Sequence, residues 1–106
     1  MAGFVQIIEF KTDRIDEIRA LADDLRTRLA GDGGDLSVVR GTVAANRDRP
    51  GYYLNIVEFD SYESAMENSN RPETSQFAAR MAELCDGPPT FYNLDVVQRW
   101  ARETTK

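Results

Sequence analysis

Residues 52–59, YYLNIVEF, decide the fold of this chain once they are set beside the run LSVVRGTVAA at residues 36–45. Both runs are rich in β-branched and aromatic residues, which favour the extended backbone of a strand. The residues between them, NRDRPG at 46–51, are turn formers. We therefore predict that the two runs pair as a β-hairpin in the middle of the chain.

The N-terminal side of this hairpin has the pattern of a strand followed by a helix. GFVQIIEFK at residues 3–11 is a run of Val, Ile and Phe, and Thr12 and Asp13 then supply side-chain oxygens that can cap a helix. From Ile15 onwards, apolar residues recur at the three- and four-residue spacings of an amphipathic helix. Gly31 is predicted to end this helix, because glycine readily adopts the left-handed backbone of a C-terminal cap.

The C-terminal side of the hairpin has the pattern of a broken helix followed by a strand. Asp60 and Glu63 have the spacing of a capping box, which predicts the start of a second helical region. Pro72 interrupts that region and suits the first turn of a new helix. Gly-Pro-Pro at 87–89 ends the pattern, and TFYNLDVVQ at 90–98 is predicted to be the last strand.

The resulting order, β-α-β-β-α-β, predicts an α+β fold of the ferredoxin-like kind. Short connections close such an order into a four-stranded antiparallel sheet with the helices on one face. The chain has 106 residues and 12.0 kDa, enough for one two-layer core and too few for two. Residues 1–106 are therefore predicted to form a single domain.

Both faces of the predicted sheet are apolar. In the first strand, Val5 and Ile7 point to one side, and Phe4, Ile8 and Phe10 point to the other. A sheet with a solvated face would instead alternate apolar and polar residues. A chain of this size has no spare layer to cover the second face, so we predict a homodimer that pairs through the sheet face.

The composition excludes several kinds of function. The chain has no His, which rules out Ser-His-Asp catalysis and imidazole ligands. A single Cys excludes an intrachain disulfide and a Cys-rich metal site. A net charge of -5, with basic residues interspersed among acids, argues against nucleic acid as a partner. We therefore expect no metal and no cofactor.

The first residues, MAGFVQIIEFK, lack the basic and apolar regions of a signal peptide. No run of the sequence approaches the 18 or so consecutive apolar residues of a membrane span. The sequence therefore predicts a soluble, cytoplasmic protein with no membrane partner.

Three uncharged amides recur at one parity of the predicted strands, among apolar and aromatic residues: Gln6, Asn55 and Asn93. A few placed polar groups on an apolar wall are typical of a small-molecule site. The alternative is that each amide satisfies a backbone group, a water or the dimer partner. The opposite parity is predicted to supply core and packing residues: Val5, Ile7, Tyr52, Leu54, Ile56, Tyr92, Leu94, Val96 and Trp100.

Four charged strand residues and one thiol are further candidates for functional groups. Arg40 and Asp95 lie within strands, which favours a structural ion pair over a clamp for a ligand carboxylate. Glu9 and Glu58 end their strands, where an acid/base pair is one interpretation and solvated carboxylates are the other. Cys85 follows a helix end, where the helix dipole does not activate a thiol, and is interpreted as structural.

The segments FVQIIEFK, SYESAMENSNRPETSQFAARMAEL and FYNLDVV, in this order over about 95 residues, resemble the dimeric α+β-barrel superfamily, nearest its antibiotic biosynthesis monooxygenase-like domains. The resemblance implies that two sheets pair into a barrel, with a small-molecule cleft between sheet and helices. Members include cofactor-free oxygenases, haem-degrading enzymes, lactone isomerases and proteins of no known activity.

The resemblance also implies roles for particular residues. Gln6 lies near the position of an Asn in the haem-degrading branch, whereas Asn68 replaces that branch's Trp, and Arg80 or Met81 its haem-ligating His. Haem degradation by that mechanism is therefore not expected. The oxygenase branch holds phenolic substrates with Asn, Trp and Tyr side chains, which suggests similar work for Tyr53, Asn55 and Asn68. The candidate pocket thus comprises Gln6, Tyr53, Asn55, Asn68 and Asn93.

Two functions remain open at this point. One is a cofactor-independent monooxygenase or isomerase that acts on a small aromatic or polyketide-like molecule. The other is a non-catalytic dimeric protein that binds a small hydrophobic or aromatic ligand or assists a neighbouring enzyme; haem binding through Tyr or Cys85 is a remote third. An empty cavity of ~300 Å³ or more with the amides pointing inward would favour the first.

Overall fold

The hairpin and the elements on either side of it occur in the predicted order. A computed structural model describes residues 3–31 and 38–102. The strands and helices are β1 (Phe4–Lys11), α1 (Ile15–Gly31), β2 (Val38–Ala45), β3 (Tyr52–Phe59), α2 (Tyr62–Ser69), α3 (Pro72–Leu84) and β4 (Thr90–Asp95). The predicted break at Pro72 is confirmed, since Pro72 begins α3. Residues 36 and 37 of the predicted second strand lie outside the described residues.

The four strands form one antiparallel sheet in the order β2-β3-β1-β4, with helices on one face. The predicted ferredoxin-like arrangement is thereby confirmed. In the central register, Ile7 of β1 lies opposite Ile56 of β3 and Tyr92 of β4. The predicted last strand, 90–98, is too long. The Val96 amide still donates to the Gly3 carbonyl at 3.0 Å, but β1 begins at Phe4 and offers no partner for the residues beyond.

Side-chain hydroxyls set the starts of two helices. Thr12 is buried, and its Oγ1 accepts from the Arg14 amide at 2.9 Å and donates to the Leu84 carbonyl at 2.6 Å. The residue therefore ties the start of α1 to the end of α3. The predicted cap at Asp60 is wrong by one residue, because the extended Ser61 accepts the Ser64 amide at 3.1 Å.

The core between sheet and helices is divided into two clusters at opposite ends of the strands. The first, the Phe59 cluster, contains Phe4, Phe59 and Ala65 of α2. The second, the Phe10 cluster, contains Phe10, Ile18 of α1 and Met81 of α3. Both clusters use the strand parity that also carries the three amides. Large aromatic side chains at the two strand ends thus hold the helices onto the sheet.

The opposite face of the sheet has no covering layer in the described part of the chain, and we call it the open face. The prediction that its residues form the core of one chain is therefore wrong. Tyr92 and Leu94 are 43% and 44% exposed, and the other apolar members are only half-buried. The centre of the open face consists of Val5, Ile7, Leu54, Ile56, Tyr92 and Leu94. Trp100, predicted to pack, is 83% exposed.

Among the residues described, no helix is both long and apolar enough to cross a membrane.

Candidate functional site

The strand residues between the two core clusters lie on the face of the sheet that the helices occupy, and we call this surface the amide groove. The register places these residues in two rows across the sheet, on the face that the helices occupy. One row runs Asn93, Gln6, Val57 and Gly41, and the other runs Phe91, Ile8, Asn55 and Val43. The sheet therefore brings all three candidate amides to one surface.

Two of these amides bond to each other across neighbouring strands. Nε2 of Gln6 donates to Oδ1 of Asn93 at 3.1 Å, on the solvent-exposed surface of the groove. Each amide group has one acceptor oxygen and two N–H donors. The side-chain oxygen of Gln6 can therefore still accept a hydrogen bond, and the NH2 group of Asn93 can still donate one. The two side chains hold each other in place and present an acceptor beside a donor.

Asn55 lies in the adjacent row, half-buried and opposite Ile8 of β1. Its amide is flanked along β3 by Tyr53 and Val57 on the same face. The Tyr53 ring stacks on Phe10 with a centroid distance of 5.8 Å. Tyr53 therefore packs against the Phe10 cluster at one end of the groove, and Asn55 occupies the floor.

Asn68 belongs to α2 rather than to the sheet. It lies three residues after the buried Ala65 and is itself half-buried. Residues three apart share a helix face, so Asn68 lies on the side of α2 that faces the sheet. The five candidate residues thus divide into three on the floor, one at the end and one on the adjoining helix.

The structure adds apolar floor residues that the sequence reasoning missed. Val43 and Phe91 are 45% and 53% exposed on the two edge strands, at the same parity as the amides. Gly41 leaves the β2 end of one row open, since a Cβ there would meet nothing within 4 Å. The sequence signal for this part of the surface is Gly41 itself, because a glycine inside a strand of β-branched residues often marks a close approach of another molecule.

The amide groove is open to solvent, which differs from the enclosed cavity that would favour an enzyme. A small cavity of about 60 Å³ lies elsewhere, between α1 and α3, where Leu21, Leu25 and Phe77 line it with charged neighbours. None of the five candidate residues lines that cavity. Asn93 is exposed, and Gln6 and Asn55 are half-buried.

The predicted Arg40–Asp95 pair is wrong. The two residues lie on the opposite edge strands β2 and β4, and on opposite faces, because Arg40 pairs in register with Glu58 and Asp95 with Phe4. Arg40 instead approaches Glu58, with 3.9 Å between Nη1 and Oε2. This pair lies on the open face and not in the amide groove.

Glu9 and Glu58 do not form an acid/base pair. Both lie on the open face, but Glu58 is opposite Val5, four residues from Glu9 along β1, which separates them by roughly 13 Å. Glu9 approaches Arg49 at 3.8 Å, and Glu58 approaches Arg99 at 3.2 Å. The carboxylates thus form ion pairs at the rim of the open face.

Within residues 3–31 and 38–102, no group of three or more His, Cys, Asp or Glu side chains is arranged to hold a metal ion. Cys85 is half-buried just after α3 and contacts the Phe10 cluster. Burial raises the pKa of its thiol, and the neighbouring Asp86 carboxylate raises that pKa further. Both effects disfavour the thiolate.

The raised pKa of Cys85 predicts slow alkylation. Only the thiolate reacts with iodoacetamide, so at neutral pH Cys85 should react more slowly than the uncharged reference N-acetylcysteinamide, with a rate that rises only at a higher pH. Asp86→Asn should accelerate the reaction at neutral pH, but not to the rate of the reference thiol, because burial remains. A pH–rate midpoint at or below that of N-acetylcysteinamide would contradict this assignment.

Comparison with models of known protein families finds no match, and no curated protein matches the sequence. Solved structures do match. A protein of Caulobacter crescentus assigned as an antibiotic biosynthesis monooxygenase is 14% identical, with a TM-score of 0.75 over 92% of each chain. A conserved protein from Methanosarcina mazei is 10% identical, with a TM-score of 0.74 over 89% of this chain and 92% of its own.

A third match is a single-residue variant of SnoaB, a cofactor-independent oxygenase from Streptomyces nogalater. It is 15% identical, with a TM-score of 0.69 over 93% of this chain and 95% of its own. At these identities the matches concern the fold, and they extend over nearly the whole described chain. The chain therefore has the ferredoxin-like fold that is found in antibiotic biosynthesis monooxygenase-like proteins.

Proposed function

We propose that the amide groove binds a small, planar aromatic molecule and that the chain acts on it as a cofactor-independent monooxygenase or isomerase. The observation that carries this proposal is the Gln6–Asn93 hydrogen bond, which sets a donor and an acceptor on an apolar floor beside Asn55. The fold that the chain shares with the oxygenase SnoaB supports the same class of activity.

The chemistry required of such a site is modest. A hydroquinol-type substrate supplies its own electrons to dioxygen, so that one oxygen atom enters the substrate and the other leaves as water. Its reactive form is the phenolate, and amide N–H groups near the phenolic oxygen stabilise the negative charge. Amides do not take up protons near neutral pH, so the phenolic proton passes to water. The solvent-exposed groove provides that route.

The test is oxygen uptake with a panel of naphthohydroquinols, corrected for autoxidation and for hydrogen peroxide. Asn55→Ala should lower the rate by roughly 10²- to 10³-fold if its amide stabilises the developing oxyanion. Asn70→Ala is the matched control, since Asn70 is an exposed amide at the end of α2. Equal rates for the two variants, or no uptake with any member of the panel, would exclude this proposal.

The openness of the groove favours a second candidate, a non-catalytic protein that binds the same class of ligand or assists a neighbouring enzyme. Reaction with oxygen is commonly protected from bulk water, whereas reversible binding needs no enclosure. Saturable binding of 1-naphthol that Asn55→Ala weakens, without oxygen uptake on the hydroquinol panel, would support this candidate. Failure of 1-naphthol and of every hydroquinol to bind would exclude both functions.

We further propose that the chain is a homodimer through the open face. That face has an apolar centre and a rim of ion pairs, Glu9–Arg49 at one end and Glu58 with Arg40 and Arg99 at the other. An apolar centre with a polar rim is the usual anatomy of a protein interface. A twofold dimer would bring the same face of each copy together. The cytoplasmic location and the single domain over residues 1–106 stay predictions.

A further inference from the structure

The hydroxyl of Thr74, in the first turn of α3, is buried without a hydrogen-bond partner. Within residues 3–31 and 38–102, its Oγ1 is the only buried side-chain polar atom of which this is true. A threonine hydroxyl within a helix ordinarily donates to the carbonyl three or four residues earlier. Thr27 of α1 does so, donating to the Asp23 carbonyl at 3.0 Å. Thr74 therefore has hydrogen-bonding capacity that its own helix leaves unused.

This unused capacity lowers the stability of the folded chain. A buried hydroxyl gives up its bonds to water, and here no bond within the protein replaces them. Valine has nearly the same shape and a similar helix propensity, so a valine at this position would avoid the loss. An unsatisfied polar group in a native structure calls for an explanation. A ligand that supplies the missing partner is one.

Thr74 lies over the middle of the sheet. α3 begins just after α2, whose Ala65 packs in the Phe59 cluster, and it ends where the Leu84 carbonyl accepts the Thr12 hydroxyl beside the end of β1. Thr74 precedes Leu84 by ten residues, or roughly 15 Å along the helix axis. Strands of eight residues extend roughly 27 Å. Thr74 is therefore level with their central residues rather than with either end.

Thr74 also lies on the side of α3 that faces the sheet. It precedes the buried Met81 by seven residues, which is two helical turns, and residues at that spacing share one helix face. Met81 contacts Phe10 of β1 and so marks the sheet-facing side. The neighbouring Glu73 and Gln76 instead line the small cavity between α3 and α1. Thr74 therefore faces the amide groove from the helix side.

We propose that the Thr74 hydroxyl bonds to the ligand of the amide groove, and that this ligand is a planar aromatic molecule with polar groups on two opposite edges. This inference rests on the function proposed above. One edge of the ligand meets the amides of the floor, and the other meets Thr74. Because a hydroxyl both donates and accepts, the second polar group is a phenol or a quinone-type carbonyl.

The buried position of the hydroxyl is compatible with this role. Thr74 as a whole is half-buried, so part of its side chain still meets solvent. A helical threonine has two accessible side-chain rotamers, which allow the hydroxyl to turn toward a group that enters the groove. A ligand with one polar group uses the floor amides alone and leaves Thr74 as it is in the free chain.

Thr74→Val tests the free chain first, because it replaces the hydroxyl with a methyl group and keeps the shape of the side chain. Since the hydroxyl has no partner to lose, the midpoint of urea unfolding should stay the same or rise. Circular dichroism at one protein concentration measures it. A lower midpoint would show that the hydroxyl has a partner within the folded chain, which overturns the inference.

Two probes test the ligand, by isothermal titration calorimetry. 1-Naphthol has one hydroxyl, and 1,5-dihydroxynaphthalene adds a second at the opposite edge. Thr74→Val should raise the Kd of 1,5-dihydroxynaphthalene about ten-fold, or ~1.4 kcal/mol, and should leave that of 1-naphthol unchanged. Thr74→Ser keeps the hydroxyl and should retain the native affinities. Thr27→Val, the same change at an exposed position of α1, should alter neither.

The failures of this inference and of the proposed function are distinguishable. If the native chain binds 1-naphthol and Asn55→Ala weakens that binding, but Thr74→Val leaves the Kd of 1,5-dihydroxynaphthalene unchanged, the inference is wrong and the proposed function stands. Equal weakening of both probes by Thr74→Val would mean that the residue acts through the shape of the groove, which also overturns the inference. If the native chain binds neither probe nor any hydroquinol, the proposed function fails and the inference fails with it.

Discussion

Ile7→Glu is expected to dissociate the homodimer and to leave the fold of the protomer intact. Ile7 lies at the centre of the open face, opposite Ile56 on one neighbouring strand and Tyr92 on the other. In a twofold dimer the substitution brings two carboxylates into the apolar centre, one from each copy. An unpaired charge in an interface costs several kcal/mol. The dimer dissociation constant should therefore rise by about 10³-fold or more, equivalent to ~4 kcal/mol.

The fold should survive because the side chain of Ile7 is directed away from both core clusters. In the monomer the new carboxylate faces water, and the loss of β-branching at a strand position costs up to about 1 kcal/mol. Sedimentation velocity across a range of concentrations measures the dissociation constant, and circular dichroism checks the fold. Ala78→Glu, on an exposed position of α3, introduces the same charge away from the sheet.

Two results would count against the open face as the interface. One is an Ile7→Glu chain that dimerises as tightly as the native chain. The other is an Ala78→Glu chain that dissociates as readily as Ile7→Glu, because a general charge effect would then explain both. The position of the amide groove does not depend on either result, since its floor lies on the other side of the sheet.

The strands and helices were predictable because their signals are local. Turn residues between β2 and β3, the spacing of apolar residues in α1 and the Pro72 break each act over a few neighbouring residues. The signal that ends β4 is not local. Val96 and Val97 favour a strand as much as the residues before them, yet β1 begins at Phe4, so that the Gly3 carbonyl is the last partner and bonds to Val96 alone.

The face of the sheet that the helices cover was not predictable, because both parities of β1 are apolar. The helices cover the face whose side chains pack against them. Phe10 on that face contacts Ile18 of α1 and Met81 of α3, whereas Ile7 lies on the other face. The shared parity of the amides was visible in the sequence. The Gln6–Asn93 contact was not, because it depends on the register between strands 87 residues apart in the chain.

Phe10→Ala is expected to be the most destabilising of the single changes considered. Phe10 is 3% exposed, joins β1 to α1 and α3 through Ile18 and Met81, and stacks on Tyr53. Removing a buried phenylalanine ring loses its transfer free energy and leaves a cavity. The free energy of unfolding should fall by about 3–5 kcal/mol, out of a total of about 5–15 kcal/mol for an ordinary domain.

Phe91→Ala is the matched control for Phe10→Ala, and the comparison tests whether the Phe10 cluster or the groove floor carries the stability. Phe91 lies on the same face of the sheet but is 53% exposed, so its removal should cost less than about 1.5 kcal/mol. Urea unfolding followed by circular dichroism measures both losses, at one protein concentration because dimerisation adds to apparent stability. Equal losses would mean that the helices are not held through the Phe10 cluster. A large loss for Phe10→Ala alone would show that the helices are held through the Phe10 cluster and that Phe91 contributes little to stability.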